Sequence, residues 1–208
     1  MQLSRRECLV LAASLACNAQ KARQGLVILL IGAPGSGKST QANFLRQRYQ
    51  IPTISAEELI AGDPSALARA RNPKIQGIEA RSDPALNELL RRRLGTIKVM
   101  NGFALDGYPA TKDHADYLIK LTGDLALADP IAILLDIPDD EARKRLTKRG
   151  AKDDTPEVIE QRIKDYHREM DFLPVYFPSI KIHKLDGAKK PDQISKELKK
   201  ILDPYLKN

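Results

Sequence analysis

The sequence predicts an α/β fold, in which a five-stranded parallel sheet carries helices on both faces. Apolar stretches of strand length alternate with segments of helical periodicity from about residue 26 to residue 202. Two of these stretches, 26–31 and 131–135, are apolar at every position, as is typical of strands buried on both faces. A glycine-rich loop follows the first stretch at 32–40 and leads directly into a helical pattern.

Length and composition indicate one domain that handles small anions. At 208 residues the chain can form one α/β domain with its own core, which is predicted over 26–208. The net charge is +7, from 34 basic and 27 acidic residues, and the basic residues are scattered rather than gathered in one stripe. With 5% aromatic residues and no Trp, there is little surface on which nucleic-acid bases could stack. We therefore expect nucleotides as partners, and no nucleic acid.

The segment 1–25 lies outside this pattern. An arginine pair, Arg5-Arg6, precedes an apolar stretch at 8–17 followed by small residues, and this arrangement resembles a twin-arginine export signal. The alternative is a short extension of a cytoplasmic protein, and the abundance of ATP in the cytoplasm favours that location. The apolar stretch is too short for a stable membrane span. Both cysteines of the chain belong to this segment, so the rest has no disulfide framework.

The elements follow from local patterns of periodicity and turn residues. Strands are predicted at 26–31, 51–54, 102–109 (ending in a turn), 131–136 and 180–185. Helices are predicted at 39–49, from 56, at 64–70, from 84 past 94, from 111 to 121, at 138–149, from 155 past 170 and from 191 past 201. Ser55, Thr111 and Thr155 are expected to cap three of these helices.

Two helices carry more specific expectations. Asp83 is expected to cap a helix whose first residue is Pro84 and whose leucines face inward. In the helix that begins after 111, the side chains of Ala115, Leu118 and Ile119 are expected to point into the core.

The loop at 32–40 fits the P-loop pattern G-x-x-x-x-G-K-[ST], which places the fold in the P-loop NTPase type. Its glycines let the backbone N–H groups turn inward around phosphate, and the following helix N-terminus adds positive potential. Lys38 would reach the β- and γ-phosphates of a nucleoside triphosphate, and the Ser39 hydroxyl would ligate Mg²⁺. The predicted ATP-binding residues of the loop are Gly32, Ala33, Pro34, Gly35, Ser36, Gly37, Lys38, Ser39 and Thr40.

A second candidate for the magnesium site is Asp106, at the end of the third predicted strand. The carboxyl ends of parallel strands meet at one edge of a sheet, so Asp106 is expected beside the P-loop. The alternative for this residue is a carboxylate that only stabilises the turn at Gly107. Asp136, at the end of the fourth strand, is expected to be structural.

Several motifs occur in an order that resembles adenylate kinases: the P-loop, Leu105-Asp106-Gly107-Tyr108-Pro109, Arg145-Leu146-x-x-Arg149-Gly150 and Arg162-Ile163-x-x-Tyr166. The resemblance runs from about residue 26 to residue 202. It implies a nucleoside monophosphate (NMP) binding excursion at 55–95, a short lid at 149–155 and a monomer. It also implies the reaction MgATP + NMP to ADP + NDP.

The resemblance also implies roles for individual residues. Lys38, Asp106, Arg149 and Arg162 would be catalytic, and the two arginines would clamp the phosphates on closure. Arg145 and Arg149 would contribute to ATP binding. The NMP site would consist of Ser55, Ala56, Gly107, Tyr108, His114 and Arg162.

The sequence departs from the family pattern mainly on the acceptor side. Ala61 and Ala110 stand where the family has arginines that grip the acceptor phosphate, and Ala56 replaces a threonine that meets the acceptor base. His114 stands in place of a glutamine that reads the base, and Ala151 falls near a lid arginine. The chain is therefore either a kinase in which other cations act, or a nucleotide-binding protein with weak or lost transfer. Candidate cations on the right segments are Arg69, Arg71, Arg81 and Lys112.

Overall fold

The computed structural model describes residues 25–70, 81–151 and 154–206. In these ranges the strands are β1 (Leu26–Gly32), β2 (Thr53–Ser55), β3 (Gly102–Asp106), β4 (Ile131–Asp136) and β5 (Lys181–Asp186). The helices in the same ranges are α1 (Lys38–Tyr49), α2 (Ala56–Gly62), α3 (Pro64–Ala70), α4 (Leu86–Gly95), α5 (Lys112–Asp124), α6 (Asp139–Arg149), α7 (Pro156–Tyr176) and α8 (Pro191–Leu206).

The five strands form one parallel sheet in the order β2-β3-β1-β4-β5, so the predicted fold class is confirmed. The central strand β1 pairs with β3 on one side and with β4 on the other. In this register Leu30 lies opposite Asp106, and Ser55 at the end of β2 also lies opposite Asp106. The P-loop, Ser55 and Asp106 therefore share the carboxyl edge of the sheet.

The two faces of the sheet have separate apolar cores because the side chains of a strand alternate between faces. Leu26, Ile28 and Leu30 pack in one core with residues of α1 and α8. Val27, Leu29 and Ile31 pack in the other with residues of α2 to α7. Full burial of one such aliphatic side chain contributes roughly 1.5–3 kcal/mol, so β1 anchors both layers.

The three predicted hydroxyl N-caps are present. The side-chain oxygens of Ser55, Thr111 and Thr155 each accept a hydrogen bond from the backbone N–H three residues on, at 3.5, 3.2 and 3.4 Å. These bonds satisfy amide groups that the first turn of a helix leaves without partners.

Some expectations are wrong in detail. Helix α4 begins at Leu86 rather than at Pro84, because the Asp83 carboxylate accepts from the N–H of Ala85 at 2.9 Å and its carbonyl accepts from the N–H of Leu86. A turn therefore precedes the helix. Ile119, expected in the core, is 50% exposed on the outer side of α5.

The proposed export signal at 1–25 falls outside the described residues except for Gly25, as do Arg71 and positions 152–153 of the expected lid. In the described ranges, no helix is long and apolar enough to cross a membrane.

Candidate active site

A cleft of about 1020 Å³ opens at the carboxyl edge of the sheet. The P-loop forms one wall, and the turn after β3 forms the floor together with Asp106. Residues of α2 and α3 line one end, while the end of α6 and residues of α7 between Glu157 and Glu169 line the rest. The cleft therefore lies where several elements of the fold converge.

The P-loop backbone depends on glycine at its junction with α1. Gly37 is the N-terminal cap of α1 and has φ of 101°, a left-handed conformation that residues with a side chain adopt only under strain. The ammonium of Lys38 donates to the carbonyl of Gly32 at 2.7 Å and approaches that of Ala33 at 3.4 Å. The loop and its lysine thus surround the position at which the helix N-terminus favours an anion.

Only part of the predicted ATP-binding set lines the cleft. The lining residues from the loop are Gly32, Pro34, Gly35, Gly37, Lys38 and Ser39. Ala33 and Ser36 are buried beneath the loop, and Thr40 is exposed outside the lining. Arg145 is not in the lining either. Its guanidinium donates to the carbonyls of Gly35 at 3.2 Å and Gly187 at 2.9 Å. It therefore stabilises the P-loop by linking it to the segment after β5.

Asp106 faces the same cleft as Lys38 and Ser39. Burial raises the pKa of Asp106, and the positive charge of Lys38 acts against that rise. Within the described residues, no group of three or more His, Cys, Asp and Glu side chains could hold a metal ion by itself. These donors fit Mg²⁺ that arrives with phosphates, because Mg²⁺ in such sites takes one or two protein oxygens and completes its shell with phosphate and water.

Asp154 organises the two arginines expected to clamp phosphates. The carboxylate accepts from Arg149 Nε at 2.8 Å and from Arg149 Nη2 at 2.7 Å, and it also accepts from Arg162 Nη1 at 2.7 Å. Its side chain is only 1% exposed. The hydrogen bond from Arg149 holds the pKa of Asp154 below its usual range, so the carboxylate is a fixed anion at neutral pH. Both arginines line the cleft.

The structure brings together only part of the predicted NMP site. Ser55, Gly107 and Arg162 line the cleft, whereas Ala56 and Tyr108 are buried and do not. Ser55 also caps α2, so its hydroxyl already has a structural partner.

His114 is fully buried, and its expected role in reading the acceptor base does not fit its position. The ring stacks on Tyr108 with ring centroids 4.8 Å apart. Its Nδ1 accepts from the N–H of Ala110 at 3.4 Å, and its Nε2 lies 3.1 Å from the carbonyl of Asp83. A neutral ring protonated at Nε2 satisfies both contacts. Burial lowers the pKa of His114, in agreement with this neutral form.

Sequence reasoning missed an ion pair inside the cleft. Arg81 Nη1 donates to Glu169 Oε1, and both residues line the cleft. They are 88 positions apart in the chain, so no local pattern links them. Burial raises the pKa of Glu169, while the charges of Arg81 and Lys38 act against that rise.

The three alanines noted in the sequence differ in position. Ala61 and Ala151 line the cleft, at opposite ends. Ala110 is buried with 8% exposure and is not in the lining. Asp136 forms an ion pair with Lys184 at 2.8 Å, which agrees with the structural role expected for it.

Comparison with known proteins agrees with this geometry. Residues 30–182 match the sequence profile of the family described as Adenylate kinase. The chain is 30% identical over 178 residues to the adenylate kinase of Nocardia farcinica, covering 84% of this chain and 98% of that protein. The adenylate kinases of Ruminiclostridium cellulolyticum and Leptospira biflexa are each 29% identical, with the same two coverages. Because the profile spans more than half of the chain and the relatives are matched over nearly their whole length, the chain belongs to the adenylate kinase family.

Proposed function

We propose that the cleft has a donor half, which holds ATP on the P-loop, and an acceptor half, which holds a nucleoside monophosphate over the β3 turn. The reaction is ATP-dependent phosphoryl transfer to the monophosphate. An oxygen of the acceptor phosphate attacks the γ-phosphorus, the bond to the bridging β,γ-oxygen breaks, and ADP leaves with that electron pair. The products are ADP and a nucleoside diphosphate.

In the donor half, Lys38 is the residue that meets the developing charge. Its ammonium lies against the P-loop carbonyls of Gly32 and Ala33, and Lys38 is the first residue of the helix that follows the loop. Ser39 and Asp106 would hold the magnesium ion, Ser39 directly and Asp106 through water. The ion would neutralise charge on the β- and γ-phosphate oxygens.

At the junction of the two halves, Arg149 and Arg162 would stabilise the transferred group. The planar guanidinium gives paired N–H donors that suit phosphate oxygens better than the single point charge of a lysine. Asp154 keeps the two cations close together despite their mutual repulsion. Such preorganised charge is the main catalytic contribution that phosphoryl transfer needs from a protein.

The convergence of Lys38, Asp106, Arg149 and Arg162 on one cleft carries this proposal. The second candidate function is nucleotide binding with little transfer. The observation in its favour is Ala61, which leaves a cleft position without the positive charge that the resemblance implies there.

The experiment compares the wild-type chain with Lys38→Ala, using MgATP and each common nucleoside monophosphate. Chromatography would measure the diphosphate formed. We expect turnover on at least one monophosphate and a loss of at least about a hundredfold in Lys38→Ala. Lys120→Ala, which removes an exposed lysine of α5, should keep wild-type activity. Equal activity in Lys38→Ala would overturn the assignment, and ATP binding without any turnover in the wild type would favour the second function.

A further inference from the structure

The acceptor half of the cleft has a shortage of positive charge at the two positions where the resemblance implies arginines. Ala61 contributes only a methyl group to the lining, and Ala110 is buried outside it. An acceptor monophosphate carries close to two negative charges at neutral pH. A site that binds it needs a cation from another position.

Arg81 occupies the required place. It lines the cleft and lies against the turn after β3, where a Cβ on Gly107 would be only 3.0 Å from its Nη1 and 3.2 Å from its Cδ. Because Gly107 has no side chain, the guanidinium can rest on the floor of the cleft. Its side chain is 16% exposed, so it is held within the cleft wall.

The surroundings of Arg81 form a charge arrangement centred on the reaction site. Arg81 and Lys38 both act electrostatically on Asp106 and on Glu169. Lys38 comes from the donor wall, whereas Arg81 follows the excursion that leads into α4. Two cations from different segments of the chain therefore share two carboxylates, one at the end of β3 and one on α7.

The pair with Glu169 does not by itself prevent Arg81 from binding a ligand. A guanidinium has five N–H donors, and the hydrogen bond to Glu169 uses one. By fixing one end of the planar fork, Glu169 reduces the conformational freedom that Arg81 would lose on binding an anion. Arg69 on the same excursion makes a useful contrast, because its side chain is 48% exposed, pairs with Asp83 and is not in the cleft lining.

We propose that Arg81, held in place by Glu169, is the cation that binds the phosphate of the acceptor nucleotide, in place of the arginines absent at positions 61 and 110. This assignment rests on the proposed function for the identity of the ligand. It makes Arg81 a binding residue for the acceptor, and Glu169 a positioning residue.

The test measures equilibrium binding by calorimetry for four nucleoside monophosphates and for the corresponding nucleosides, which lack the phosphate. The full-length wild type is compared with Arg81→Gln, Arg81→Lys and the control Arg91→Gln. Arg91 lies on the exposed face of α4 and pairs with Glu88. The variant Arg91→Gln therefore removes an arginine that is not part of the cleft.

We expect Arg81→Gln to weaken monophosphate binding roughly ten- to a hundredfold while nucleoside binding changes little. Arg81→Lys should recover part of the loss because it restores the charge without the fork. Arg91→Gln should behave as the wild type. The difference between the two ligand classes distinguishes a phosphate contact from a general loss of structure, which would weaken both classes equally.

Three results would overturn the assignment: unchanged monophosphate binding in Arg81→Gln, equal losses for monophosphates and nucleosides, or a wild type that binds monophosphates no more tightly than nucleosides. The second of these results would indicate a role in holding the base or the fold. Binding is measured without turnover, so the effect of Arg81→Gln can be interpreted even if the activity test with Lys38→Ala fails. The two proposals can therefore fail separately.

Discussion

At the scale of single residues, Ala61 and Ala110, the two positions at which the resemblance to adenylate kinases implies arginines, have different surroundings. Ala61 is exposed near the end of α2, where a longer side chain can extend into the cleft. Ala110 is buried, and its backbone N–H donates a hydrogen bond to the ring of His114. That ring stacks on Tyr108. Position 110 is thus a buried site beside this stacked pair of rings, and an arginine side chain would need room there.

We expect the two restoring substitutions to differ in stability for this reason. Ala61→Arg should change the free energy of unfolding by less than about 0.5 kcal/mol, as is usual for surface changes. Ala110→Arg should lower it by roughly 1–3 kcal/mol or more, because it overpacks a filled interior and buries a charge. Urea denaturation followed by circular dichroism would measure both. Equal stability of the two variants would contradict this expectation, because it would show that position 110 accommodates an arginine side chain.

Residues whose roles depend on a local motif could be predicted from the sequence, whereas those that depend on the tertiary structure could not. The positions of Lys38 and Asp106 follow from a loop and a strand end, and both lie in the cleft. The resemblance implies a residue that reads the acceptor base at position 114, but the ring of His114 is buried in the core. The pair Arg81–Glu169 forms across 88 positions, and only the fold brings its members together.

At the scale of elements, the junction of α6 and α7 carries two of the cleft's arginines, one on each helix. Arg149 ends α6, Arg162 lies in the second turn of α7, and Asp154 on the connection bonds to both. Without the carboxylate, the two guanidinium groups would repel each other and lose their common anchor. The connection therefore sets the relative positions of the two arginines proposed to clamp phosphate.

We expect Asp154→Asn to lower kcat/KM for phosphoryl transfer by about tenfold or more, because small displacements of catalytic charges are costly. The low pKa of Asp154 means that the wild-type carboxylate is ionised throughout the neutral range, so the loss should not vary between pH 6 and pH 8. Steady-state rates would be measured at several pH values.

A matched control for that variant exists on the neighbouring helix α6. Asp140→Asn removes a carboxylate that is 95% exposed and pairs with Arg143 at the start of α6. Its kinetics should match the wild type, since exposed ion pairs contribute little. If both variants lost activity equally, or neither did, Asp154 would have no special part in arranging the clamp.

The elements themselves were largely predictable because their signals are short-range. Hydroxyl caps at Ser55, Thr111 and Thr155 and the apolar runs of β1 and β4 mark their own boundaries. The start of α4 could not be read in the same way, because Asp83 is equally suited to a turn and to a cap. The exposure of Ile119 depends on which neighbours α5 meets, and periodicity alone does not give that.

At the scale of the whole molecule, the parallel sheet explains why one cleft can serve two nucleotides. The central strand β1 delivers the P-loop, and β3 beside it delivers Asp106 and the acceptor turn at the same edge. In the division proposed above, the two halves use different cations on different segments, Lys38 on the donor side and Arg81 on the acceptor side. Ligand stabilisation of the fold should therefore separate into two independent contributions.

Thermal unfolding would test this separation with a non-hydrolysable ATP analogue and with a monophosphate that the chain binds. Each ligand at about a hundred times its Kd should stabilise the wild type by about 2.7 kcal/mol, which for a domain of this size raises Tm by about 5–10 °C. Lys38→Ala should lose most of the shift from the ATP analogue and keep the shift from the monophosphate, because only the donor wall has lost its cation. Arg81→Gln should show the opposite pattern. Loss of both shifts in either variant would mean that the two halves do not bind independently, and would count against the division of the cleft proposed above.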